Sequence, residues 1–303
     1  MSSFFTKAIS KFNEKKHMLQ KRDQATNHRI AHILTDSASF SVKEAYKTAR
    51  TNIIFALAGQ ESCKKVVLTS AEPGEGKTTT VLNLSITFAQ TGSKVLVIDG
   101  DLRKPRIHRY LHFDKKNGLS DLLIGTVDLD KAIRHNEKLN IDCIPAGQIP
   151  PNPVELLSSE SMEKLLDKLS ERYDYIFIDS PPVTVVSDAT SMAQMIDGYI
   201  IVIRHNYTIH ELLEKARSSL LFAEGKILGY MMNDIRPLGG LSYHQYGAYS
   251  TKYYNYKTRY SYGLRYSYRY TYHEASFDTP EMDEVNLKPA ERKNKEQKEK
   301  ASK

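Results

Sequence analysis

The sequence has no long apolar run. Its longest purely aliphatic stretch is Ile200 to Ile203, far short of the roughly 18 to 20 residues that a membrane-spanning helix needs, so no transmembrane segment is expected. Met1-Ser-Ser-Phe-Phe-Thr-Lys7 lacks the apolar core and small-residue cleavage site of a secretory signal and shows no lipidation signature. Together these point to a cytoplasmic protein. Cysteine is scarce: Cys63 and Cys143 stand far apart with no His or Cys at metal-ligand spacing, and both read as small core residues. Acidic residues are missing between Ile235 and His273.

Charge is unevenly placed. Residues 1–34 hold seven Lys/Arg against two Asp/Glu, residues 35–234 hold 23 against 26, and residues 235–303 hold 13 against eight. A folded nucleic-acid binder would carry its basic charge on the folded face. Here the middle is near neutral and the ends are basic, so no nucleic-acid partner is expected for it.

Between these ends, short β-rich runs alternate with longer amphipathic stretches, the pattern of α/β units around a mainly parallel sheet flanked by helices. Strands are expected at Lys65 to Ser70, Lys94 to Asp99, Ile141 to Pro145, Tyr173 to Asp179, Tyr199 to Arg204 and Ile227 to Met232. Helices are expected at Lys77 to Gln90, Val154 to Glu171 and His210 to Ala223. The expected organisation is a basic extension at 1–34, one domain at 35–236 and a disordered tail at 237–303. The tail holds twelve of the nineteen tyrosines within 243–272, and its charged end, poor in aliphatics, cannot offset the entropy of ordering. In the extension, Phe5, Ile9 and Phe12 fall near one helical face. A surface-lying membrane helix, docking on a partner and plain disorder all fit that short segment.

One stretch carries chemistry. The strand Val66-Val-Leu-Thr-Ser70 runs into Ala71-Glu-Pro-Gly-Glu-Gly-Lys-Thr-Thr-Thr80 and then a helix, the context a phosphate-binding loop requires. Gly74 and Gly76 let backbone N–H groups turn inward, Lys77 supplies a charge for the β- and γ-phosphates, and Thr78 offers a hydroxyl to Mg²⁺. Ala71 stands where a first glycine is usual, a change of loop geometry rather than of charge. Two more strands end in acids, Val95-Leu-Val-Ile-Asp99-Gly-Asp101 and Tyr175-Ile-Phe-Ile-Asp179, at the strand ends where ligands of such sheets bind. Asp179 suits the metal side. Of Asp99 and Asp101, one can serve the metal and the other accept a proton from an attacking hydroxyl.

In these residues the chain resembles the bacterial protein-tyrosine kinases of capsule and exopolysaccharide gene clusters, a branch of the phosphate-loop ATPases. The resemblance covers about residues 40 to 235 and rests on several segments. They are Ala71 to Thr80, Ile98-Asp-Gly-Asp-Leu-Arg-Lys-Pro105 with His108, Gly118-Leu-Ser-Asp121, Pro145-Ala-Gly147, Pro150 to Leu157, Ile178-Asp-Ser-Pro-Pro182 and the tyrosine cluster. It implies ATP and Mg²⁺ as cofactors, with ATP held by Gly74, Glu75, Gly76, Lys77, Thr78 and Thr79. It implies catalysis by Lys77, Asp99 and Asp101, with Asp99 as the base, and metal binding by Thr78, Asp101 and Asp179. The implied acceptors are Tyr243, Tyr246, Tyr249, Tyr253, Tyr254, Tyr256, Tyr260, Tyr262, Tyr266, Tyr268, Tyr270 and Tyr272 of the chain's own tail. The implied partners are a separate membrane activator that recruits the protein to the inner face of the plasma membrane, a phosphotyrosine phosphatase, and further copies in a ring. For the ring, the stretch matching the family's Glu-x-x-Arg-x-x-Arg helix is Glu44-Ala-Tyr-Lys47-Thr-Ala-Arg50, where lysine keeps the first charge but loses the planar fork of arginine.

Two other classes use some of the same residues. A non-kinase ATPase switch of the partitioning or cell-division type would need the nucleotide site but not twelve basic-flanked tyrosines. A polyanion binder could use alternating Tyr and Arg to stack on bases and pair with phosphates. The tail, read together with the site, favours the kinase.

Overall fold

The computed structural model describes residues 32–60 and 62–235. The expectations for the basic extension up to residue 31, and for the tail with its tyrosine cluster, lie outside these residues.

Apolar runs such as Val66–Leu68, Val95–Ile98 and Ile176–Ile178 are fully or almost fully buried, as strands covered on both faces must be. Seven strands form one sheet: β1 (Lys64–Ser70), β2 (Val95–Asp99), β3 (Arg134–Asn136), β4 (Ile141–Ile144), β5 (Tyr175–Asp179), β6 (Gly198–Arg204) and β7 (Ile227–Asn233). Their order is β3-β4-β2-β5-β1-β6-β7, parallel throughout except for the antiparallel edge strand β3. Successive strand residues face opposite sides. Val67, Leu96, Ile98, Ile176, Ile178 and Ile201 belong to one core, and Val66, Leu68, Val97, Phe177, Ile200 and Val202 belong to the other.

The second core is closed by α1 (Phe40–Ala56) and α2 (Lys77–Ala89), through Tyr46, Ile53, Val81, Leu84 and Phe88. Between β2 and β5 lie the short helices α3 (Ile107–Tyr110), α4 (Leu119–Leu123), α5 (Leu129–Ala132) and α6 (Pro153–Leu157), then α7 (Glu160–Ser170). Met162, Leu165, Leu166 and Leu169 of α7, with Ala216 and Leu220 of α8 (His210–Phe222), close the first core. Leu166→Ala would cost about 2–5 kcal/mol, since that side chain is 1 % exposed within this core. Cys63 and Cys143 are both buried and unpaired.

Three expectations are corrected. The single helix expected over Val154 to Glu171 is two, because Ser159 stops one and starts the next: its Oγ accepts a hydrogen bond from the Met162 N–H at 3.2 Å, an N-cap that apolar periodicity does not register. Strands β2 and β5 begin later than expected, because the Lys94 N–H donates to the Asp174 carboxylate at 2.8 Å. Finally, Ile33 and Leu34 pack into the core, and Asn83 ties them down by accepting from the Leu34 N–H at 2.7 Å and donating to the His32 carbonyl at 3.0 Å.

Candidate functional site

The end of β1 and the start of α2 frame the phosphate loop. Gly74 and Gly76 have φ of +93° and +94°, a region costly to any residue with a Cβ. Gly76 is also crowded: a Cβ there would lie 2.0 Å from Asn233 Nδ2. The N-terminus of α2 receives no side-chain cap and has no acid in its first turn, so its N–H groups and dipole face the loop, as an anion site requires.

Lys77 is 9 % exposed and its Nζ donates to Ser70 Oγ at 3.0 Å. Burial pulls its ammonium below the ordinary lysine range, while the charges of Asp179, Asp101 and Glu75 act to hold the proton. Thr78 Oγ1 donates to Asp179 Oδ2 at 2.6 Å. Asp179 is 1 % exposed, and burial, opposed by Lys77 and Thr78, pushes its carboxyl up to about 7. Thr79 is half-buried on the same turn.

Parallel pairing sets Asp99 beside Asp179 at the ends of β2 and β5. Asp99 is fully buried; its Oδ2 accepts from the N–H groups of Arg106 and Ile107 at 3.1 and 3.0 Å. Burial first, and the nearby Asp179 second, hold its carboxyl well above the usual range. Asp101 is half-exposed, and its Oδ1 accepts from the Lys104 N–H at 2.8 Å. The fold therefore assembles Lys77, Thr78, Asp99, Asp101 and Asp179 at one end of the sheet, from three segments.

Glu75 is turned inward rather than toward a bound anion. Its carboxylate is fully buried, accepting from the Glu72 N–H at 2.8 Å and from the Thr208 hydroxyl. Its carbonyl accepts from Asn233 Nδ2 at 3.1 Å, and Tyr207 OH donates to the Pro73 carbonyl at 3.0 Å. Residues following β6 and ending β7 thus brace the loop. The sequence reading missed Ser70, Tyr207, Thr208 and Asn233, and only the strand order reveals them.

Another unforeseen pair is Arg103 with Asp188, at 3.0 Å. The segments Gly118–Asp121 and Pro145–Gly147 meet each other: the Leu119 and Ser120 N–H groups donate to Pro145 and Ala146 carbonyls at 2.7 and 2.9 Å, and Asp121 caps α4 through the Gly118 N–H at 2.9 Å. Their role here is structural.

Of the three residues singled out for assembly, Glu44 and Lys47 pair with one another at 2.7 Å on an exposed face of α1. Arg50 Nη1 donates to the Thr87 carbonyl of α2 at 2.7 Å.

Asp99 Oδ1 and Asp179 Oδ1 are buried and lack a hydrogen-bond partner among the described residues. The Asp179 oxygen, beside Thr78 and the phosphate loop, fits Mg²⁺, which takes one or two carboxylates together with substrate phosphates.

An AAA domain family model matches residues 63–216. The chain is 41 % identical to the tyrosine-protein kinase YwqD of Bacillus subtilis over 210 residues, 69 % of this chain and 86 % of YwqD. It is 33 % identical to the putative tyrosine-protein kinase CapB of Staphylococcus aureus over 211 residues, 70 % of this chain and 92 % of CapB. The longer tyrosine-protein kinase Etk of Escherichia coli is matched over 33 % of its length. Among solved structures, the Etk kinase domain superposes with a TM-score of 0.63 at 33 % identity, covering 66 % of this chain and 78 % of that one. The chimerical protein CapA2B2 gives 0.60 at 33 %, covering 63 % and 83 %.

Proposed function

The chain belongs to the bacterial tyrosine-protein kinases, and from that membership we propose that it transfers the γ-phosphoryl group of ATP to tyrosines of its own tail, in the control of capsular or exopolysaccharide polymerisation and export. The observation that carries this reading is the convergence of Lys77, Thr78, Asp99 and Asp179 at one end of the sheet, with two buried carboxylate oxygens unpartnered.

In this reading the loop amides and Lys77 hold the phosphates, while Thr78, Asp101 and Asp179 hold Mg²⁺. The metal, when bound, neutralises charge developing on the phosphate oxygens. Asp99 takes the phenolic proton as the tyrosine oxygen bonds to the γ-phosphorus and the bond to ADP breaks. Its unpartnered Oδ1 is the oxygen open to that proton. The domain that packs Ile33 and Leu34 into its core is the catalytic one, and residues 237–303 are the acceptor tail. Glu44, Lys47 and Arg50 belong to a face joining copies in a ring. A membrane activator recruits the protein, and a phosphatase resets it. Among the described residues no helix is long and apolar enough to cross a membrane, which is compatible with a separate activator.

The test is incubation of the full chain with labelled ATP and Mg²⁺, followed by phosphotyrosine mapping, with Lys77→Met as control. Label on tyrosines within 243–272, absent in the control, supports the reading. ATP hydrolysis without phosphotyrosine would replace it by the ATPase switch.

A further inference from the structure

Residues 103–116, leaving the site after β2, carry Arg103, Lys104, Arg106, Arg109, Lys115 and Lys116, with Asp114 as their one acid. Arg103 is committed to Asp188. The other five have no ion-pair partner among the described residues, and Lys104, Arg109, Lys115 and Lys116 are exposed.

Three observations make this more than a solvated basic run. Its backbone is bound to the catalytic acids, through the Lys104 N–H on Asp101 and the Arg106 and Ile107 N–H groups on Asp99. Its far end receives another cation, since Arg134 Nη2 of β3 donates to the Lys116 carbonyl at 2.8 Å. Two of the cations also act on one side chain: after burial, Arg109 and Lys115 push the His108 imidazole below its ordinary range, against Asp114. An anion joining such like charges relieves their repulsion.

We propose that this face captures phosphotyrosines already formed on the tail of this chain or a neighbouring copy, so that further tyrosines are modified in the same engagement. The inference rests on the kinase reading. Residues 235–273 begin with six Lys/Arg and no acid, so the unmodified tail is repelled by the basic face and drawn to the acidic site. Each phosphotyrosine adds about −1.5 to −2 charge, and Arg and Lys pair strongly with phosphate. Modification thus turns the tail into the ligand of the face beside the site that modified it. Spacing fits: successive tyrosines of the cluster lie one to four residues apart, roughly 3 to 14 Å in an extended chain. A held phosphate therefore keeps the next tyrosine within that distance of the face.

The test has a binding arm and a turnover arm. In the first, a labelled synthetic peptide of residues 252–272 with three phosphotyrosines, or with none, is titrated by fluorescence anisotropy against the full chain carrying Lys77→Met. The phosphopeptide should bind at least about tenfold tighter, the equivalent of one charge-assisted contact. That margin should vanish with Arg109→Ser, Lys115→Ser and Lys116→Ser combined, and shrink as salt rises. In the second arm, intact mass spectrometry of the ATP-treated chain should show multiply phosphorylated chains beside unmodified ones. The triple variant should instead add phosphates stepwise, with its first phosphate added at the wild-type rate. Equal binding of the two peptides, or an unchanged distribution in the variant, overturns the proposal. So does loss of binding to phosphatidylserine vesicles in the variant without any phosphopeptide preference, which would make the face a membrane contact. Failure of the kinase reading shows separately, as a wild type that forms no phosphotyrosine, because the binding arm needs no transfer.

Discussion

Replacing Asp179 by Asn should stabilise the nucleotide-free protein at pH 8 while abolishing phosphoryl transfer. Asp179 sits at about 7, against an ordinary 3.8, because burial penalises its charged form more than Lys77 and the Thr78 hydroxyl reward it. An acid raised in the folded state holds its proton where the unfolded chain has lost it. That stabilisation is complete below pH 3.8 and is lost as pH rises through about 7. A shift of about three units corresponds to roughly 4 kcal/mol of burial penalty carried above pH 7. Asparagine carries no charge and still accepts from Thr78, but its N–H₂ takes the place of the unpartnered Oδ1, returning about 1–3 kcal/mol. Lys77 keeps the charges of Asp101 and Glu75. The net gain should be about 1–3 kcal/mol, or roughly 2 to 12 °C in Tm for a domain of this size.

Calorimetry with EDTA and no nucleotide measures it. The gain should be largest at pH 8 and fade toward pH 4, and added Mg²⁺ and ATP should raise the wild-type Tm but not that of the variant. A variant that melts below the wild type at pH 8, by a margin independent of pH, would refute the argument that burial of this charge sets its energetics.

Asp99→Asn should keep nucleotide affinity, read with a fluorescent ATP analogue, yet lose transfer to tyrosine; transfer near the wild-type rate would remove Asp99 as the base. Glu75→Ala should raise the KM for ATP about tenfold with little change in kcat, the loss of about one buried hydrogen bond from loop preorganisation, and Glu75→Gln should recover much of it. Replacing Glu44, Lys47 and Arg50 together by Ala should shift sedimentation toward monomer and slow tail phosphorylation. Glu44→Ala with Lys47→Ala alone should suffice for that effect, since it leaves the Arg50 contact with Thr87 intact.

The strands were readable because the parallel sheet is buried on both faces and its apolar runs are uninterrupted, as in Val95–Ile98. The site acids were readable because they end those runs. What stayed hidden depends on contacts across long separations. Thr208 and Asn233 reach the phosphate loop only because β6 and β7 lie outside β1 in the strand order, and nothing near either residue in the chain announces that. Edge strand β3 is three residues long and half-exposed, too short for alternation to show. The Ser159 cap was legible in principle, from a serine three residues before the Met162 it caps, but a continuous leucine periodicity masks it.

The spacing Asp99-Gly100-Asp101 shows how one pattern can serve packing and chemistry together. Gly100 donates its N–H to the Asp179 carbonyl at 2.8 Å, and a Cβ at this position would meet that same oxygen at 2.8 Å and Ile178 Cγ2 at 2.9 Å. Glycine is therefore what lets the end of β2 lie against the end of β5, and that closeness sets Asp99 in register with Asp179. One residue further, the chain has turned enough for Asp101 to be half-exposed and to brace the turn through Lys104. Two acids of the same type thus acquire different environments from a two-residue offset: one fully buried with an unpartnered oxygen, the other open to solvent. Different environments for paired carboxylates are what let the two take different roles. The division of labour proposed for Asp99 and Asp101 follows from the packing of β2 against β5 as much as from the residues themselves.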